Sequence, residues 1–115
     1  MTDDEYRKLL TRVLSGDYRL ERDFQRDVIA IARQHGWLVH YTPKTRALRH
    51  VDAGYPDLML AHHDKQLILA RECKTDSGRV KREQRRWLLA LQQYDRTTGV
   101  WRPENGHEIV GTLEW

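Results

Sequence analysis

The stretch 54–74 constrains the fold of this chain most strongly. Two short apolar runs, 58–61 and 67–70, lie on either side of a polar segment, 63–66. Runs of this length that are bounded by Gly, Pro and polar residues favour two strands joined by a tight turn. The stretch therefore predicts an antiparallel β-hairpin.

The predicted register of this hairpin brings two acids together. Asp57 and Glu72 are equally far from the centre of the turn, so antiparallel pairing places them opposite each other. Their Cβ atoms would be about 4.5–5.5 Å apart. The period of two along a strand puts Lys74 on the same face as Glu72 and turns Cys73 the other way.

Two opposed carboxylates repel each other unless a cation lies between them. Carboxylate oxygens suit Mg²⁺ or Mn²⁺, which activate water and stabilise the charge that develops on a phosphate. Lys74 could orient that water or neutralise the transition state. The alternative is a structural role, in which Asp57 and Glu72 form salt bridges with Lys74 or Arg71.

These residues resemble the PD-(D/E)xK nuclease superfamily, whose pattern matches Pro56-Asp57 followed by Glu72-Cys73-Lys74. A wider set resembles its VRR-NUC branch in the small standalone form that many phages encode. That set is Gly54-Tyr55-Pro56-Asp57-Leu58, Glu72-x-Lys74, Gln84 with Trp87, and Trp101-x-Pro103, within a resemblance that covers residues 20–113. The resemblance implies a restriction-endonuclease-like α/β core and an endonuclease that depends on Mg²⁺ or Mn²⁺. It further implies branched DNA such as a Holliday junction as substrate, and a homodimer.

The resemblance also implies roles for individual residues. Asp57, Glu72 and the backbone carbonyl of Cys73 would hold the metal, and Glu21 would assist directly or through water. Lys74 would position or polarise the attacking water. Gln84 would support the phosphate or the water, although its amide could equally satisfy backbone groups within the fold.

Glu21 also has an interpretation that needs no metal. The spacing of apolar residues predicts a helix over 20–35 whose buried stripe begins at Phe24. Glu21 lies three residues before Phe24 and therefore on the same face of the helix. An acid in the first turn is favoured by the helix dipole alone. Gln25, one turn further on, would face the same cleft or the solvent.

Two groups of basic residues are candidates for contact with the DNA backbone, because lysine and arginine displace condensed counterions. The first lies on a loop before Gly54, and the second surrounds the start of a helix predicted over 81–94. Their members are Lys44, Arg46 and Arg49 in the first group, and Arg79, Lys81, Arg82 and Arg85 in the second. The alternative for each group is a solvated charged surface.

The remaining pattern predicts a small mixed β-sheet flanked by helices, within one domain over 1–115. Strands are expected near Trp37 and Gly99 beside the hairpin, and both faces of the sheet are expected to be covered. Residues 1–18 form a helical N-terminal extension whose predicted capping box joins Thr2 and Glu5. A short last helix is expected over 108–113.

Composition limits the class of protein. The net charge of +3 and the pI near 9.2 mildly favour a nucleic-acid partner. A single cysteine excludes an intrachain disulfide and agrees with a reducing cytoplasm, that of a bacterial host if a phage encodes the protein. No apolar run approaches the ~20 residues of a membrane helix. His62 and His63 are expected in a solvated turn, away from the acids.

Two other functions compete with the nuclease. The chain could have a nuclease-like fold that binds DNA without cleaving it, which loss of a site acid would indicate. All the expected acids are present. A small basic regulator with helix-turn-helix character is a weaker alternative, because the central strands speak against it.

Overall fold

The computed structural model describes residues 1–42, 54–92 and 98–115. These residues form four helices, four strands and a short 3-10 helix. In chain order they are α1 (Asp3–Ser15), α2 (Glu21–Gln34), β1 (Leu38–Tyr41), β2 (Leu58–His62), β3 (Leu67–Cys73), α3 (Arg82–Gln92), β4 (Gly99–Trp101), the 3-10 helix (Pro103–Asn105) and α4 (Gly106–Glu114).

The strands form one mixed sheet in the order β1-β2-β3-β4. The first three are antiparallel, and β4 runs parallel to β3. Leu58 pairs with Arg71 and His62 with Leu67, which is the predicted hairpin register. The mixed sheet with flanking helices confirms the predicted fold class.

The hydrophobic core lies on one face of the sheet, where alternate residues of β2 and β3 point inward. Leu58, Leu60 and Leu69 pack there with Phe24 of α2 and Leu113 of α4. Helices α1, α2 and α4 also contact one another. This packing holds the first turn of α2 in place relative to the sheet.

The opposite face of the sheet is less covered than the sequence predicts. Leu38 and Ile68, both cross-strand neighbours of Ala61, remain 71% and 59% exposed. Gln84 in the first turn of α3 contacts Glu72, close to the other end of β3. The expectation that both faces are covered is therefore wrong for the three paired positions Leu38, Ala61 and Ile68.

Both terminal helices follow from local signals and one close contact. The capping box of Thr2 and Glu5 is present, as predicted. Helix α4 begins at Gly106, earlier than expected. A Cβ atom on Gly106 would lie 2.3 Å from the carbonyl oxygen of Val13, so glycine here allows α1 and α4 to approach closely and does not break the helix.

The histidines near the hairpin turn differ in their environments. His63 is exposed, as expected of a solvated turn. The His62 ring instead packs edge-on against Trp37, and its Nε2 lies 2.8 Å from the carbonyl oxygen of His35. The Lys65 backbone N–H donates to Nδ1 of His62. His62 therefore links the turn to the end of α2, and its prediction as a solvated residue is wrong.

Helix α3 begins at Arg82, one residue after the predicted start at 81. Tyr94, the predicted end of this helix, lies outside the described residues. In the described part of the chain, the helices are too short or too polar to cross a membrane.

Asp27 joins α1 to α2 through a buried carboxylate. Arg12 donates to Oδ2 from Nε at 3.0 Å, and the Tyr18 hydroxyl donates to the same oxygen at 2.6 Å. Burial raises the pKa of Asp27, but these hydrogen bonds outweigh it and bring the pKa below the ordinary 3.8. Burial and the bond to Asp27 raise the pKa of Tyr18 well above 10.0, so its hydroxyl remains a donor.

Replacing Asp27 with asparagine should lower the free energy of unfolding at neutral pH by about 1–3 kcal/mol, because it removes hydrogen bonds to a charged acceptor. A carboxyl whose pKa is depressed by folding stabilises above its unfolded pKa and stops doing so as pH falls through the folded pKa. Urea unfolding should therefore show wild type and variant converging below about pH 4. A difference that persists unchanged in acid would contradict this role, and Asp64→Asn in the exposed turn serves as control.

Candidate active site

Three carboxylates meet at the end of the sheet where β2 begins and β3 ends. Asp57 immediately precedes β2, Glu72 lies near the end of β3, and Glu21 is the first residue of α2. One oxygen of each lies within 4.8 Å of the others. Asp57 and Glu72 come together because an antiparallel hairpin returns the chain to the end of the sheet at which it started.

Each of the two hairpin acids accepts a hydrogen bond from a backbone N–H on the other side of the hairpin. Oδ2 of Asp57 accepts a hydrogen bond from the Cys73 N–H at 3.1 Å. Oε2 of Glu72 accepts one from the Asp57 N–H at 3.3 Å. These two hydrogen bonds fix the orientation of both carboxylates at the buried end of the hairpin.

Lys74 lies between two of the acids. Its Nζ is 3.7 Å from Oε1 of Glu72 and 3.9 Å from Oε1 of Glu21, and the side chain is only 8% exposed. Its backbone N–H donates to the carbonyl oxygen of Trp101 in β4. The three carboxylates and one ammonium have a formal net charge of −2, which a divalent cation would balance.

Gln84 uses both ends of its amide within the protein. Nε2 donates to Oε1 of Glu72 at 2.6 Å, and Oε1 accepts from the Lys81 N–H at 2.8 Å. Lys81 immediately precedes α3, so this second bond is the half of a capping box in which the third helical residue reaches back. Gln84 thus orients Glu72 and closes the first turn of α3 at once.

Gly54 allows the turn before Asp57 to lie directly against α3. Its φ is +89°, and a Cβ atom there would come within 2.6 Å of the backbone of Glu83 and Gln84. A side chain would be strained by the backbone angle and would also collide with the helix. This close contact fixes the distance between the hairpin and the helix that carries Gln84.

Arg102 secures the loop between Lys74 and α3, and sequence analysis did not identify it. Its Nη1 donates to the carbonyl oxygens of Thr75 at 2.6 Å and Gly78 at 2.7 Å. The Glu104 N–H donates to Oδ1 of Asp76 in the same loop. No sequence signal marks such a residue, because its partners are backbone groups more than twenty positions away.

The predicted basic residues do not join the acids. Those near α3 are exposed, and they are Arg79, Lys81, Arg82 and Arg85. Lys44, Arg46 and Arg49 lie outside the described residues. The structure therefore brings together Glu21, Asp57, Glu72, Lys74 and Gln84, and leaves the basic group near α3 on the surface.

The acidic cluster fits a hard divalent cation. Mg²⁺ and Mn²⁺ prefer carboxylate and carbonyl oxygens, and three carboxylates converge here. Cys73 is buried beside them and uses its N–H to hold Asp57, while its carbonyl is the fourth predicted ligand. The donor set contains no histidine or thiol that would favour a softer metal.

Comparison with models of known families identifies one family for this chain. The model of the VRR-NUC domain family matches residues 4–102. A solved structure described as a VRR_NUC domain protein is 20% identical, with a TM-score of 0.48, and the match covers 99% of this chain and 86% of that one. Among curated proteins, no significant match was found.

Proposed function

Because the chain belongs to the VRR-NUC domain family, we propose that it is a divalent-metal-dependent DNA endonuclease that cuts branched DNA. The observation that carries this proposal is the convergence of three carboxylates within 4.8 Å, with a buried lysine beside them. Hydrolysis of a phosphodiester needs charge stabilisation and an oriented water, and these groups supply both.

We assign the metal-holding role to Asp57, Glu72 and the Cys73 carbonyl, with Glu21 as a direct or water-mediated ligand. A Mg²⁺ or Mn²⁺ ion bound there would supply Lewis-acid stabilisation of the charge that develops on the phosphate. Lys74 would donate a hydrogen bond to the attacking water and orient it toward the phosphorus, a role that its position beside Glu21 and Glu72 supports. Gln84 acts through Glu72, whose carboxylate it holds in position.

The proposal also specifies the substrate, which is branched DNA, and the oligomeric state, which is a homodimer. A four-way junction is resolved by two symmetric cuts, and the described residues of one chain contain one group of acids that could hold a metal. Two chains would supply the two sites. We further propose that residues 1–115 act as a single nuclease domain in a bacterial cytoplasm.

A panel of end-labelled substrates tests this part. We expect the wild-type protein to cut a four-way junction faster than linear duplex or single strand, with paired nicks in opposite strands. Equal rates on all three substrates would contradict the preference for branched DNA. Binding without cutting in either metal would favour a non-cleaving DNA-binding module.

The exposed arginines near α3 give a separate prediction for DNA binding. Reversing the charge of Arg82 and Arg85 to glutamate should weaken binding to duplex DNA and flatten its salt dependence. Each lost phosphate contact lowers the slope of log affinity against log salt by about 0.9. Fluorescence anisotropy over a salt series measures this slope, and the same reversal of Arg7 and Lys8 on α1 is the matched control. An unaltered slope would mean that Arg82 and Arg85 are only solvated.

A further inference from the structure

A groove of about 530 Å³ runs along the outer side of α2 beside the end of β1. Its basic lining residues are Arg22, Arg26 and Arg33, all on one face of the helix. Ile29 and Tyr41 give it an apolar and aromatic lining. The volume is in the range of small-molecule sites, about 300–1,000 Å³.

The groove opens onto the acidic cluster. Glu21 belongs to both, since its carboxylate is one of the three that converge and it also lines the groove. The Thr42 N–H donates to the carbonyl oxygen of Asp57 at 3.0 Å, which ties the end of β1 to the same place. A strand that entered the groove would therefore lead directly to the proposed metal site.

The charges of the groove suit a chain of phosphates. Arg22 and Arg33 extend into solvent from one face of α2, three turns apart. Arg26 between them is partly neutralised, because it lies 3.5 Å from Asp23 and 3.6 Å from Asp27. Arg22 lies 4.0 Å from Asp23, a longer contact with one acid instead of two. Arg22 and Arg33 are thus the better candidates for phosphate contact.

The apolar lining distinguishes an unpaired strand from a duplex. Tyr41 is 45% exposed at the end of an edge strand, and its ring borders the groove. Bases in a duplex are stacked and paired, so an aromatic side chain reaches their faces only where a strand is unpaired. A duplex presents phosphates but no open base faces to such a surface, so the Tyr41 ring would have no base on which to stack.

We propose that this groove holds unpaired nucleotides of the substrate strand next to the phosphate that is cut. The proposal rests on the nuclease function above and assigns to the groove any unpaired stretch that a branched substrate carries beside the cut. From Glu21 to Arg33 the helix rises about 18 Å at 1.5 Å per residue. At about 3.4 Å per nucleotide of a stacked strand, that length accommodates roughly five nucleotides.

Equilibrium binding of two labelled DNAs tests the groove, with EDTA present so that cutting cannot interfere. One DNA is a blunt duplex, and the other is the same duplex with a single-stranded tail on the 5′ or the 3′ end. Tyr41→Ala should weaken binding of the tailed DNA about 5- to 150-fold, the loss expected for one stacked base, without changing the salt slope. Tyr41→Phe keeps the ring and should restore binding.

Replacing Arg22 and Arg33 together with alanine should affect the salt dependence instead. For the tailed DNA the slope should fall by about 1.4, since each single-strand phosphate contact contributes about 0.7. Binding of the blunt duplex should change much less in both variants. Arg7→Ala with Lys8→Ala on α1 removes the same charge elsewhere and should leave the preference for tailed DNA intact.

The groove assignment is overturned if tailed and blunt DNA lose affinity equally in these variants, or if the α1 control has the same effect. Failure of the nuclease function would look different. If the wild-type protein never cuts with Mg²⁺ or Mn²⁺ but prefers tailed DNA through Tyr41, the groove binds unpaired nucleotides and the nuclease function is wrong. If Tyr41→Ala cuts normally and binds the tailed DNA with unchanged affinity, the nuclease function stands and the groove assignment is wrong.

Discussion

Replacing Lys74 with alanine should reduce DNA cleavage by about 10²–10³-fold, the usual cost of removing one preorganised donor at a transition state. Metal binding should persist, because the carboxylates of Glu21 and Glu72 remain and the cluster becomes more negative. DNA binding should persist as well, because the exposed basic residues near α3 are unchanged. Single-turnover cleavage measures the chemical step, and metal titration and DNA anisotropy measure the two binding steps.

Lys8→Ala is the control for Lys74, since Lys8 lies exposed on α1, where it forms a surface ion pair with Asp4. Its cleavage rate should equal that of wild type. If Lys74→Ala cleaves at the wild-type rate, Lys74 has no part in the mechanism. A simultaneous loss of metal affinity would instead show that Lys74 shapes the acidic cluster and does not act on water.

Mn²⁺ should raise the melting temperature of the wild-type protein, and Asp57→Asn should remove most of this effect. A ligand at about 100 times its Kd stabilises the folded state by about 2.7 kcal/mol, which corresponds to a shift on the order of 10 °C in a domain of this size. The asparagine oxygen can still accept from the Cys73 N–H, so the variant should fold. Its amide nitrogen is not a metal ligand.

Thermal melts with increasing Mg²⁺ or Mn²⁺, and with EDTA as reference, measure this effect. Asp64→Asn alters an exposed acid in the hairpin turn and should keep the full metal-dependent shift. Cleavage by Asp57→Asn should fall together with its metal response. An equal shift in wild type and Asp57→Asn would contradict the assignment of Asp57 as a ligand.

The hairpin was predictable because its information is local. The apolar runs, the turn and the two acids lie within one short stretch, and period-two geometry converts their numbering into the pairing of Leu58 with Arg71. Glu21 was reachable for a related reason, since its place before Phe24 puts it at the start of a buried helical face. Neither inference needed knowledge of how distant elements pack.

Other features depend on long-range contacts that a sequence does not display. Arg102 bonds to backbone carbonyls of a loop that any sequence could supply. The capping role of Gln84 appears only once α3 is known to begin after Lys81. The last helix was expected over 108–113, but it begins at Gly106, where glycine lies directly against the Val13 carbonyl oxygen of another helix.

The groove along α2 was also invisible to sequence analysis. Its arginines lie on the polar face of an amphipathic helix, where charged residues are the norm. Only the approach of Tyr41 from β1 turns that face into one wall of a groove. The groove is formed by residues of two separate elements, so only the structure shows that they are neighbours.

The most direct test of the nuclease assignment is cleavage of an end-labelled four-way junction with Mg²⁺, Mn²⁺ or EDTA, by the wild-type protein and by Asp57→Ala purified in parallel. The acidic cluster of Glu21, Asp57 and Glu72 predicts cutting by wild type with a divalent metal. It predicts no cutting in EDTA and none by the variant. Equal cutting by both proteins, or binding of the junction without any cutting by wild type, would contradict it.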